Sequence, residues 1–159
     1  MKYSEIGVTV DELDKAILRQ LQRNSRISNA DLARKVNLSP PAVHARTRRL
    51  EQEGLIDRYV TLLDKEKAGY DMLVFFHVSM QLHHASEFPK AREVFLSQPE
   101  VLECYHVTGD YDYLLKVVIH SRKDLERFVV ECLTPTPGVA RIQTCLVLSQ
   151  VKFETELPL

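Results

Sequence analysis

The sequence of 159 residues predicts an α+β chain in two parts, a three-helix domain followed by a βαββαβ domain. Three observations carry that prediction. Apolar residues recur at helical spacing up to Leu55 and in strand-like runs after it. Serines mark two of the helix starts, at Ser28 and Ser39. The order strand, helix, strand then occurs twice in the second part.

The elements follow in order. Leu13, Ile17, Leu18 and Leu21 define the first helix, Leu32, Ala33 and Val36 the second, and Val43, Thr47 and Leu50 the third. Ser28 with Asp31 three residues on approximates a capping box, and Ser39 before Pro40 sets a cap ahead of a proline at the first helical position. Only Asn37, Leu38 and Ser39 part the second helix from the third, and asparagine tolerates the left-handed backbone of a tight turn. The third helix runs to about Glu53 and stops at Gly54. Tyr59–Leu63 is strand-like, and the charged Asp64–Lys67 with Gly69 reads as a linker. The domains are therefore 1–58, a strand and linker over 59–71, and 72–159.

In the last of these, Met72–Leu82 reads as a strand, Ser86–Ser97 as a helix, Val101–Thr108 and Asp112–His120 as strands, Lys123–Leu133 as a helix and Val139–Leu148 as a strand. Val151–Glu154 is a candidate short extension. This order is ferredoxin-like. Gly109-Asp110-Tyr111 forms the central hairpin, where glycine supplies a positive φ.

Composition excludes several classes. Charged residues make up 27% and hydrophobic ones 45%, a balance unlike disordered or collagenous chains. The longest apolar runs, such as Met72–His77 and Leu114–Ile119, fall far short of the ~20 residues of a membrane span, so no membrane partner is expected. Net charge is −1, yet residues 1–63 hold 11 Lys/Arg against 8 Asp/Glu, which leaves a mildly basic front half and an acidic back half. Cys104, Cys132 and Cys145 are odd in number and lack metal-ligand spacing. No charged-then-apolar leader opens the chain at Met1–Val10, and reduced thiols in a cytoplasmic protein are the expectation.

A short turn between two helices is the geometry of a helix-turn-helix, whose second helix enters the major groove. Plain three-helix packing would place the same apolar residues, so the polar face decides. With Val43, Thr47 and Leu50 inward, Pro41, His44, Ala45 and Arg48 form the outward stripe, flanked by Arg46 and Arg49. No acid interrupts it before Glu51. His44 and Arg48 suit purine N7 or O6 edges, Ala45 a thymine methyl, and Arg46 or Arg49 a phosphate, with Arg46 equally suited to tying helices together. Ser28, Asn29 and Ser39 stand at helix starts whose amides suit a backbone phosphate. One such helix reads few base pairs, so a dimer on two half-sites of duplex DNA is expected.

In the back half, Thr108-Gly109-Asp110-Tyr111-Asp112-Tyr113 gathers two carboxylates and exposed amides at a strand end, a set able to hold the ammonium and carboxylate of an amino acid. The same residues also make good hairpin-loop chemistry. Asp110 and Asp112 have no third metal ligand near them in sequence, and His83-His84 reads as an exposed turn, so no metal is expected. The sequence lacks a Gly-x-Ser-x-Gly elbow, a Gly-rich phosphate loop, His-Glu-x-x-His and Cys-x-x-Cys, so neither catalysis nor a cofactor is expected.

An ordered set of residues resembles the N-terminal domain of the Lrp/AsnC (feast/famine) transcription regulators: Leu13-Asp14, Ile17-Leu18, Leu21, Asn24-Ser25-Arg26, Ser28, Asp31-Leu32-Ala33, Val36, Leu38-Ser39, Val43, Arg46, Leu50-Glu51, Gly54-Leu55-Ile56 and Tyr59. Pro99-Glu100-Val101, the Gly109–Tyr113 loop and Pro137-Gly138-Val139 resemble the regulatory domain of the same family. The resemblance implies a sequence-specific DNA-binding regulator, a homodimer whose sheets pair, assembly to an octamer of four dimers, and an amino-acid effector between dimers near this loop and the last strand. On that strand Thr144 matches a hydroxyl position, whereas Ile142 stands where the family often has another hydroxyl; Asn37 stands where glycine is usual. Ile142 keeps open an effector-independent architectural DNA binder of the same fold. A small-molecule enzyme on the ferredoxin-like half is the other rival, and it leaves the arginine-rich helix unexplained.

Overall fold

A computed structural model of the chain describes residues 9–81 and 86–159. His83 and His84 lie outside the described residues. The chain forms two compact units, Met1–Thr61 together with Lys152–Leu159, and Leu62–Val151.

The first unit holds α1 (Glu12–Arg23), α2 (Asn29–Val36) and α3 (Pro40–Gln52). Asp11 caps α1 in a reciprocal box: the Asp14 amide donates to the Asp11 carboxylate at 2.8 Å and the Asp11 amide donates back at 3.1 Å. At α2 the Ser28 hydroxyl accepts the Asp31 amide at 3.0 Å, but Asp31 takes the Ser28 hydroxyl hydrogen instead of the Ser28 amide. The box expected there is thus only half made, and the full one lies on α1. Asn37 ends α2 with φ 54 and ψ 45, the left-handed turn expected of it. Ile17, Leu32, Ala33, Val36 and Val43 pack together, and Leu50 is fully buried. Leu13 is 37% exposed, and the buried Thr47 hydroxyl has no hydrogen-bond partner among the described residues.

Residues from Lys152 onward fall to the second domain in the sequence division, yet they lie along α1. Arg23 pairs with Glu156 at 3.1 Å, Gln22 exchanges two hydrogen bonds with the Leu157 backbone, and Arg19 donates to the Leu159 carbonyl at 2.8 Å. The polar last turns of α1 therefore find their partners in this tail. Neither Val151–Glu154 nor Tyr59–Leu63 is a strand. Val60, Leu62 and Leu63 are exposed and have no ladder neighbour among the described residues, while the Tyr59 hydroxyl donates to Glu51 at 2.8 Å. Desolvation first, and that carboxylate second, push the Tyr59 phenol up to about 12.

The second unit is a four-stranded antiparallel sheet of β1 (Met72–Met80), β2 (Val101–His106), β3 (Tyr113–Ile119) and β4 (Val139–Leu146), in the order β2-β3-β1-β4. This is the ferredoxin-like order the sequence predicts. One helix, α4 (Glu87–Ser97), follows β1; α5 (Arg122–Arg127) follows β3 and widens into a π-helical stretch over Phe128–Leu133. Val74, Phe76 and Val78 of β1 and Leu115, Val117 and Ile119 of β3 pack with Ala91, Phe95, Phe128 and Leu133 of these helical segments. The strands are shorter than the sequence suggests, because β2 ends at His106 and the Val107 amide closes onto the Asp112 carbonyl at 2.9 Å. The hairpin loop thus spans residues 107–112, and Thr108 and Asp112 belong to it.

Candidate nucleic-acid interface and effector loop

The turn at Asn37–Ser39 delivers α3 with Ser39 as its cap and Pro40 and Pro41 in its first turn. Pro41, His44, Ala45 and Arg48 are exposed on one face, and neither His44 nor Arg48 has a hydrogen-bond or ion-pair partner among the described residues. Arg46 and Arg49 differ. Arg46 binds Asp11 at 2.7 Å and Asp14 at 2.8 Å, and Arg49 binds the other Asp14 oxygen at 2.5 Å. Of the two roles open to Arg46, tying helices together is the one seen. The Asp14 backbone amide, then the Arg46 guanidinium, hold the Asp11 carboxyl below its usual range, and these carboxylates raise the Arg46 guanidinium in turn.

At the start of α2, Asn29 is exposed but the Ser28 hydroxyl is committed to Asp31. That hydroxyl, then Arg34, hold the Asp31 carboxyl low, so a negative charge stands at this helix start. Among the described residues no group of three or more His, Cys, Asp or Glu forms a metal cluster, and no helix is long and apolar enough to cross a membrane.

The Thr108–Tyr113 segment divides by structure. Thr108, Gly109 and Asp110 are exposed, and Gly109 takes φ 118. Tyr113 is core, stacked on His106 at 5.0 Å and edge-on to Phe95. Tyr111 lies against His77, its ring centroid 4.7 Å away, under the Arg141 guanidinium, and its hydroxyl donates to the Gln143 side chain. Strand register explains this choice. Gln143 pairs with His77, whereas Ile142 pairs with Val78 and Thr144 with Phe76, so Ile142 and Thr144 share the helix-covered face. The structure therefore does not bring Ile142 or Thr144 to Tyr111. Arg141 and Gln143, which sequence reading passed over, stand there instead.

A helix-turn-helix with an exposed basic face on its second helix, followed by a ferredoxin-like domain, defines a DNA-binding regulator with a regulatory module. Comparison with known proteins agrees. Residues 10–57 match a family described as winged helix-turn-helix DNA-binding, and residues 73–157 match the Lrp/AsnC ligand binding domain. The chain is 33% identical to the transcriptional regulator AzlB of Bacillus subtilis over 97% of its length and 98% of the relative's. It is 37% identical to the Bkd operon transcriptional regulator of Pseudomonas aeruginosa, over 94% and 98% of the two chains. A transcriptional regulator of Neisseria meningitidis solved as a complex with L-Met superimposes with a TM-score of 0.91 at 33% identity, covering 94% of this chain and 97% of that one. For Escherichia coli AsnC the TM-score is 0.88 at 28% identity, with 95% and 100% covered. The chain belongs to the Lrp/AsnC family of transcriptional regulators.

Proposed function

We propose that the chain reads duplex DNA with the outer face of α3 and adjusts that reading to an amino acid held at the hairpin loop. The observation that carries this is the sorting of the α3 polar side chains: His44 and Arg48 have no partner among the described residues and lie on the face that also presents Pro41 and Ala45, while Arg46 and Arg49 are anchored behind it. His44 and Arg48 donate to purine edges and Ala45 meets a thymine methyl. The backbone amides near Ser28, Asn29 and Ser39 meet phosphates and fix the register.

The relative solved with L-Met supports an amino-acid effector. Here the exposed Asp110 carboxylate and the loop amides from Thr108 to Tyr111 would take its ammonium and carboxylate. A second copy on the helix-free sheet face, which carries Phe75, Leu114 and Tyr105, makes the homodimer that two half-sites need. Further assembly to four dimers would let the effector change how many reading helices engage one site. The regulator works in the cytoplasm, by occupancy and without a catalytic step.

The test is a salt-dependent binding assay on the region upstream of the protein's own coding sequence, with and without the twenty amino acids, alongside sedimentation. Steeply salt-dependent binding that Arg48→Glu abolishes, together with a response to one amino acid in affinity or assembly, is expected. Binding with no response would favour an architectural DNA binder of the same fold.

A further inference from the structure

Asp14 is a carboxylate with 1% of its side chain exposed, on α1, not on the helix that reads DNA. Its oxygens take one guanidinium each, Arg46 at 2.8 Å and Arg49 at 2.5 Å, and the second oxygen also accepts the Asp11 amide hydrogen at 3.1 Å. Asp11 adds a second contact to Arg46 at 2.7 Å. The two arginines stand three residues apart on α3, on the side turned toward α1. A rotation of α3 by one residue, about 100°, would carry both guanidiniums off the carboxylate.

We infer that Asp14 is a positioning residue for DNA reading, which sets the rotation of α3 so that His44, Ala45 and Arg48 face the duplex and keeps Arg46 and Arg49 from binding phosphate indiscriminately. This rests on the reading that α3 contacts DNA. Physically, a buried carboxylate with two guanidiniums does two things at once. It restricts the pose of the reading helix, and it removes two cations from the pool that releases counterions on any DNA sequence. The consequence has an unusual sign: taking the acid away should make DNA binding stronger in general and poorer in discrimination.

The experiment compares the full-length protein with Asp14→Asn, Asp11→Asn and Arg48→Glu on two duplexes of equal length, one enriched by the wild type from a random pool and one of random sequence. Affinities are measured from 50 to 200 mM salt, with a thermal melt for each variant. For Asp14→Asn the expected result is tighter binding to the random duplex, a log–log salt slope steeper by about one to two, and a ratio of enriched to random affinity lower by about tenfold. Asp11→Asn retains a good N-cap and so keeps the helix start, and it should move in the same direction by less, up to about one in slope. Should Asp14→Asn fail to fold, Asp11→Asn decides alone. Unchanged slope and ratio, or a proportional loss on both duplexes that follows the drop in melting temperature, would overturn the positioning role. If the wild type enriches no sequence, or Arg48→Glu leaves affinity for the enriched duplex unchanged, the reading of α3 as the DNA contact fails and takes this inference with it.

Discussion

The Asp112 carboxylate accepts the Met80 amide hydrogen at 2.6 Å, and the Asp112 amide donates to the Val78 carbonyl at 3.0 Å. It thereby closes the end of β1 at the point where the ladder to β4 slips, between Ser79 and Met80. Asp110, two residues earlier, is exposed, and its carboxylate has no partner among the described residues. The loop's two acids therefore do different work, one inside the fold and one outside it.

Replacing them should separate stability from effector response. Asp112→Ala leaves the Met80 amide without its acceptor and should lower the stability of the sheet unit by about 1–3 kcal/mol in urea unfolding. Asp110→Asn should stay within about 0.5 kcal/mol of wild type. In calorimetry against the twenty amino acids, Asp110→Asn should lose the heat that wild type shows.

Acid should loosen the helical unit through its capping carboxylates. Asp11 titrates below its ordinary 3.8 when folded, first because of the Asp14 amide and then Arg46. Its contribution is complete above that ordinary value and is lost as pH falls through the lower folded one. Glu12 and Asp31 shift in the same direction, so Asp11→Asn should flatten the acid limb of a stability-versus-pH curve without abolishing it. A curve parallel to wild type below pH 4 would show that Asp11 is not a source of the loss.

Asn37 carries the turn in a left-handed conformation, φ 54. Asn37→Gly should stay within about 1 kcal/mol of wild type, with no loss of DNA affinity, because glycine adopts this backbone at no steric cost. A β-branched residue, as in Asn37→Val, should cost about 1–2 kcal/mol. Thermal melts of the three proteins give the ranking.

Gly138 faces a different constraint. Its φ is +78, and an added Cβ would lie 2.7 Å from Glu87 Cβ and 3.0 Å from Met80 Cε. Gly138→Ala combines backbone strain just before β4 with a clash against Glu87 at the start of α4 and Met80 at the end of β1, and should lower urea-unfolding stability by about 2–4 kcal/mol.

Much of this architecture is legible in the amino-acid order. Ser28, Ser39 and Asn37 announce the boundaries of α2 and α3, because capping and left-handed turns are local chemistry. The role of Asp14 is not local: its partner Arg46 is 32 residues away, and on a helical wheel it reads as one more surface charge. Opposite charges on α1 and on the flank of α3 were the available signal. Register limits what can be read from β4, since alternation yields two faces and only pairing with His77 shows that Gln143, and not Thr144, turns toward Tyr111. Tyr59–Leu63 has the residues of a strand, but a strand also requires a neighbour, and among the described residues it has none.

The tail on α1 has a consequence for synthesis. Arg23 and Glu156 are 133 residues apart in the chain, so at about 5–20 residues per second Arg23 is added to the growing chain about 7 to 27 s before its salt-bridge partner. The last turns of α1 are thus translated well before the tail residues that satisfy them.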